Sequence, residues 1–120
     1  FYIQYAHARI SKVLEQWGGD ISTLKLDDSF TFDSQAELKL IKSIGIYPEI
    51  VLQATNELAP HQIANFLKDC AAELHSYYND SKFLVEDEKI KIARLSLINS
   101  AKYVLRNGLH LLGIEAPQKM

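Results

Sequence analysis

The chain has 120 residues, of which 48% are hydrophobic and 23% charged, and a formal net charge of −2. That profile describes one globular domain large enough to bury a core of its own. The acidic balance excludes a long-range pull of the whole domain toward RNA, so any RNA contact has to rest on a local basic face. No apolar run approaches the roughly 18 residues of a membrane span, and the single cysteine, Cys70, cannot close an internal disulfide.

The elements are expected to be helical. Ile3, Ala6, Ile10, Val13, Leu14 and Trp17 fall on one face of a 3.6-residue repeat, and Gly18-Gly19 ends it. Residues 20 to 33 alternate weakly (Ile21, Leu24, Leu26, Phe30, Phe32) and read as a connecting loop that pins its apolar side chains to the bundle. Ser34 and Glu37 have capping-box spacing, with the serine oxygen and the glutamate carboxylate meeting unpaired backbone donors, and a helix is expected from about 34 to 44. Gly45 ends that helix in this reading, and Tyr47-Pro48-Glu49 restarts a short one with proline in its tolerated first turn. Pro60 opens a longer helix with Ile63, Phe66, Leu67, Cys70, Leu74 and Tyr77 on one stripe, which makes Cys70 a buried structural thiol. Asn79-Asp80-Ser81 breaks it. Glu86-Asp87-Glu88 puts negative charge at the start of a last helix running to about Leu112, where the macrodipole favours it. Five helices, short links and no convincing strand predict an all-α bundle forming a single domain over 1–120.

Signatures of catalysis are missing from the sequence: no glycine-rich phosphate loop, no nucleophile elbow and no zinc-ligand spacing, the four histidines (His7, His61, His75, His110) being scattered. Four groups of residues bear on binding. Tyr5, Arg9, Lys12 and Gln16 are helical neighbours beside the first apolar stripe; they are either a solvated flank or a ring-and-cation pair able to stack and contact phosphate. Tyr77 belongs to the core stripe, whereas Tyr78 lies about 100° further round at the helix end, where a ring is open to an unstacked base. Arg94 stands in the middle of the last helix's apolar face (Ile90, Leu97, Ile98, Ala101, Leu105, Leu112), which requires an ion pair, a route to solvent or an RNA contact. Lys91, Lys102 and Arg106 form a second row on that helix, either solvated surface or a phosphate-facing strip. The tail from Gly113 either tucks Ile114 and Met120 against the bundle or frays.

Four ordered blocks carry a resemblance: Phe1-Tyr2-Ile3-Gln4-Tyr5-Ala6-His7-Ala8-Arg9 at the start; Pro60-His61-Gln62-Ile63-Ala64-Asn65-Phe66-Leu67 leading to His75-Ser76-Tyr77-Tyr78-Asn79; Ala93-Arg94-Leu95-Ser96-Leu97 with Ala101; and Val104-Leu105-Arg106-Asn107-Gly108-Leu109 onward to Met120. Together they resemble the C-terminal, DALR-type anticodon-binding domain of arginyl-tRNA synthetases over nearly the whole chain; residues 18 to 33 match no block. The resemblance implies a helical domain without catalytic residues, cut from a longer chain, as Phe1 in place of an initiator methionine also leads one to expect. In that family the parent ligase activates arginine with ATP and magnesium in a separate catalytic domain and transfers it to tRNA bearing arginine anticodons. It further implies that Tyr5 and Arg9 face tRNA, that the aromatic contact to the anticodon falls on Tyr78, and that Met120 lies close to the anticodon. With Lys12, Arg94 and Arg106 these form the candidate tRNA-binding set. No cofactor or metal is expected within the chain itself, and a cytoplasmic, non-membrane monomer is expected. The alternatives are a helical protein-interaction module, which the acidic balance favours, and the anticodon domain of a related class I synthetase such as the cysteine enzyme.

Overall fold

A computed structural model describes residues 1–26 and 30–120; the part of the expected 20–33 loop at 27–29 lies outside the described residues. The first helix, α1 (Tyr2–Trp17), buries Ala6, Ile10, Val13 and Leu14 on one face. Gly18 stops it in the left-handed conformation, φ 70°, with its N–H donating to the Leu14 carbonyl at 3.2 Å, a conformation that glycine adopts without the cost a Cβ imposes. Gly19 serves differently: the Trp17 indole folds over it, into the space a side chain would take. A short 3-10 turn, Ile21–Thr23, capped by Asp20, follows. Leu24 beyond it is buried, and Ile21 and Phe32 pack against the core, so the connection pins three of the five apolar residues expected to do so, while Leu26 stays exposed.

The second helix, α2, runs unbroken from Gln35 to Asn56 with Pro48 inside it. The expected stop at Gly45 and restart at Pro48 are therefore corrected, and the bundle has four α-helices rather than five. The reason is packing. Leu40, Ile44, Tyr47, Val51 and Ala54 continue one helical stripe into the core straight through the supposed break, while Gly45 and Pro48 both lie on the exposed face. Glycine and proline cost about 1 and about 3 kcal/mol against alanine in a helix interior, and burial of the leucine, tyrosine and isoleucine side chains, at about 1.5 to 3 kcal/mol for each fully buried one, outweighs both. The capping box is also only half as expected. The Ser34 hydroxyl accepts from the Glu37 N–H at 3.1 Å, but the Glu37 carboxylate turns inward and takes the Ser34 hydroxyl at 2.9 Å and the Tyr77 hydroxyl at 2.8 Å.

Pro60 occupies the first turn of α3 (Pro60–Asp80), which buries Ile63, Leu67, Cys70, Ala71, Leu74 and Tyr77. The last helix, α4 (Glu88–Leu111), is capped by Asp87, whose carboxylate accepts from the Ile90 N–H at 3.1 Å. It is buried around more of its circumference than a single stripe, because α1, α2 and α3 all pack on it. Gly108 allows α3 to approach closely: a Cβ there would sit 2.6 Å from Leu67 Cδ2. The helix ends in a Schellman turn, with Gly113 at φ 75°, its N–H donating to the His110 carbonyl and that of Ile114 to the Leu109 carbonyl, each at 2.9 Å. No helix of the described residues is long and apolar enough to cross a membrane.

The turn at Gly113 sends the tail back across α1. There the His7 Nδ1–H donates to the Pro117 carbonyl at 2.8 Å and the Gln4 amide to the Glu115 carbonyl at 3.4 Å. Ala116 packs against the core, while Ile114 and Met120 stay exposed. The tail is thus held by its backbone carbonyls, and the apolar side chains expected to tuck it in do not do so.

Candidate nucleic-acid interface

Three elements meet beside α1. Tyr5, Ala8, Arg9, Lys12, Glu15 and Gln16 come from its outward flank, Tyr78 from the last turn of α3, and Gln118, Lys119 and Met120 from the returning tail; together they line a groove of about 670 Å³. Three cations against one carboxylate make the groove locally basic in a chain of net charge −2. Five of the seven residues singled out in the sequence, Tyr5, Arg9, Lys12, Tyr78 and Met120, converge here.

Arg9 organises the groove. Its guanidinium carbon lies 3.7 Å from the Tyr78 ring centroid and 5.4 Å from that of Tyr5, a cation–π arrangement on two tyrosines. Its Nη1 donates to His75 Nδ1 at 2.9 Å. Tyr5 is 47% exposed and Tyr78 37%, so each ring offers solvent an edge or a face while supporting the cation. The open face expected on Tyr78 is therefore already covered by Arg9, and the surface presented to a ligand there is the guanidinium backed by the ring. Behind Tyr78 stands Phe83, which is buried, 6.0 Å from the Tyr78 centroid and edge-on to Tyr77 at 5.1 Å.

Tyr77 is fully buried, and its hydroxyl donates to Glu37. Burial pushes its phenol above the ordinary range, and the Glu37 carboxylate adds to this. Arg94, itself half-buried, reaches the same cluster from its edge, with Nε 3.6 Å from Glu37 Oε2 and Nη1 donating to the Lys82 carbonyl at 2.6 Å. It ties the loop that carries Phe83 to α4, so it stands behind the groove rather than in its wall. Arg106 lines a different groove, of about 860 Å³, with Tyr103, Asn107, His110 and residues 113–117 on the other side of the tail. That groove is the larger, but among the described residues no arginine is stacked on a ring in it.

The expected row of Lys91, Lys102 and Arg106 does not form. Lys102 is buried, its ammonium disfavoured by burial and then by Arg106, and Lys91 bonds Glu88 at 2.9 Å one turn back. The reason is the wide buried arc of α4, which extends beneath α1. Sequence reasoning missed His75, Gln118, Lys119 and Phe83. His75 was within reach, since it lies three residues before Tyr78 and so on a neighbouring part of the helix surface; Phe83 sits in a loop whose course no periodicity reveals.

An all-α bundle that presents a prearranged cation between aromatic rings in an open groove defines a helical binding module, with recognition rather than covalent chemistry as what the groove can do. Residues 3–120 match the DALR anticodon binding domain family, to which the chain belongs. It is 46% identical over 120 residues to an arginine–tRNA ligase of Polynucleobacter necessarius subsp. necessarius, covering all of this chain and 21% of that protein. To an arginine–tRNA ligase of Nitrosospira multiformis it is 48% identical with the same coverage. Among solved structures, the arginyl-tRNA synthetase of Thermus thermophilus superposes with a TM-score of 0.83 at 33% identity, over 99% of this chain and 21% of that one. The chain thus spans about a fifth of the length of these relatives.

Proposed function

We propose that this chain is the anticodon-binding domain of an arginine–tRNA ligase and that the groove between α1, the end of α3 and the tail receives the anticodon loop of a tRNA bearing an arginine anticodon. The observation that carries the reading is the Arg9 guanidinium lying over Tyr78 in a groove that also holds Tyr5, Lys12 and Lys119. Single-stranded loops are recognised by stacking unpaired bases on rings or guanidinium planes and by meeting phosphates with cations. A base laid on the outer face of Arg9 rests on a plane already supported by Tyr78, the exposed part of Tyr5 offers a second contact, and Lys12 and Lys119 meet the backbone. Met120, 61% exposed at the rim, gives an apolar contact to a splayed base. Arg94 supports the site through the Phe83 loop, and Arg106 meets RNA only where the bound tRNA reaches round the tail.

In this reading the adenylate chemistry, with its ATP and magnesium, belongs to a catalytic domain elsewhere in the same chain, and no residue described above is proposed to hold either. The domain grips the anticodon arm so that the acceptor end reaches that distant centre, and the protein works as a monomer in the cytoplasm. The test is the affinity of the full-length protein for anticodon stem-loops carrying an arginine anticodon or an unrelated one. Preference for the arginine loop, and its loss in Arg9→Met, supports the reading; equal binding of both loops, or an Arg9→Met protein that binds as wild type does, overturns it.

A further inference from the structure

Two arginines in this chain are fixed by acceptors of opposite character. Arg94 lies 3.6 Å from the carboxylate of Glu37, which offsets its charge. Arg9 instead donates Nη1 to His75 Nδ1 at 2.9 Å, and among the described residues no carboxylate pairs with it. A guanidinium can only donate, so Nδ1 must be the unprotonated nitrogen, and the ring is the neutral tautomer with its proton on Nε2. That Nε2 is buried with no partner at hydrogen-bond geometry, the Tyr2 backbone being the polar group that acts on the ring from α1, and toward the groove the ring's role is that of acceptor for Arg9. The ring is itself held, its centroid 4.8 Å from that of Tyr2 and 5.6 Å from that of Tyr5, the latter stacked.

We propose that His75 is a positioning residue for RNA binding: a neutral acceptor that locks the Arg9 guanidinium over Tyr78 while leaving its positive charge whole for the ligand. The inference rests on the groove being an RNA site. An aspartate or glutamate in the same place would fix Arg9 equally well but would cancel the charge that meets a phosphate and bring an acidic group toward RNA. With no acceptor, the long arginine side chain would have to be ordered each time RNA arrived, an entropic cost charged to binding. His75 avoids both outcomes. A guanidinium has five N–H donors; one is committed to His75, one face rests on Tyr78, and the remainder is available to RNA.

The test uses the full-length ligase and reads the Kd for an arginine anticodon stem-loop, together with the tRNA KM and the kcat at saturating tRNA. His75→Phe keeps a ring and removes the acceptor, so it is expected to raise Kd and KM about tenfold, the scale of one hydrogen bond to a charged group, with kcat at saturation held. His75→Asn, whose side-chain oxygen can replace Nδ1, should remain within about twofold of wild type. The isosteric His75→Asp should lose about tenfold or more. In an Arg9→Met background, His75→Phe should add nothing. If His75→Phe binds RNA like wild type while Arg9→Met is impaired, the positioning role is overturned and the groove reading stands. An Arg9→Met protein that binds normally removes both. Should His75→Phe fail to fold, the Asn and Asp variants decide: equal affinities for the two overturn the claim that a neutral acceptor is required.

Discussion

The guanidinium of Arg9 lies 3.7 Å from the centre of the Tyr78 ring, and the neighbouring Tyr77 hydroxyl is 2.8 Å from Glu37. Consecutive tyrosines, about 100° apart on one helix, therefore serve different surroundings, one the groove and one the core, and their replacement should have separable effects. Tyr78→Ala removes the support beneath Arg9 and should weaken tRNA use by about 1 to 3 kcal/mol, seen as a raised tRNA KM with little change in melting temperature. Tyr77→Ala leaves a cavity and removes a donor from Glu37, and should cost about 3 to 5 kcal/mol of stability. Thermal melts and charging kinetics on the two variants check the division, and a reversed pattern would exchange the roles.

Arg94 bridges Glu37 and the Lys82 carbonyl, so removing it strands a buried carboxylate that keeps only its two hydroxyl donors. The Arg94 side chain is 26% exposed, so the loss should fall below the roughly 3 to 5 kcal/mol that breaking a fully buried pair costs. Arg94→Met restores the apolar volume of the stem and should melt higher than Arg94→Ala, which leaves a hole as well. Adding Glu37→Gln to Arg94→Met should recover part of the loss, because the stranded group is then uncharged. Melting temperatures across the four proteins provide the measurement.

Gly108 sits inside α4, where alanine would ordinarily be favoured by about 1 kcal/mol. Here the added methyl would meet Leu67 Cδ2 at 2.6 Å and Cγ at 3.0 Å, so the fully buried Leu67 side chain would have to shift within the core. Overpacking of this kind costs about 1 to 3 kcal/mol, so Gly108→Ala should be destabilising on balance. Urea titration reads the sign directly.

His7 is buried and donates to the Pro117 carbonyl. Burial pulls its pKa below the ordinary value of 6.5, Lys102 and Arg106 pull the same way, and the bond to Pro117 opposes them. The folded state therefore binds the proton less readily than the unfolded state. Its contribution to stability is fully present above pH 6.5 and is lost as the pH falls from there toward the depressed folded value. His75, also lowered, by burial and then by Arg9, acts in the same direction. Melting temperature should fall over that window, and His7→Gln should flatten the fall. Hydrogen exchange at 114–119 should accelerate in the variant as the tail loosens.

Cys70 lies within the apolar stripe of α3, and its thiol is pushed up to about 12 by burial and then by Glu73. Thiolate is scarce at neutral pH, so alkylation should await unfolding. Iodoacetamide labelling that tracks a denaturation curve would bear this out; rapid labelling of the native protein would contradict it.

The helical class, the boundaries of α1 and α3, the cap at Ser34 and the pairing of Tyr5 with Arg9 follow from residue order alone, because they depend on neighbours three or four positions apart. Glycine and proline at 45 and 48 are breakers by the same local logic, and there the logic fails: both point to solvent while the stripe beneath them is buried, so packing holds α2 together. The Glu37 carboxylate left its expected backbone donor for Tyr77 and Arg94, partners 40 and 57 positions away that only the folded bundle brings near. The groove has the same origin. Arg9, Tyr78 and Met120 carry no spacing that joins them, and they meet because α1 packs on α3 and the Schellman turn at Gly113 directs the tail back over α1. Local periodicity decides which face of a helix is apolar; which side chains share a groove is decided by how those faces are covered.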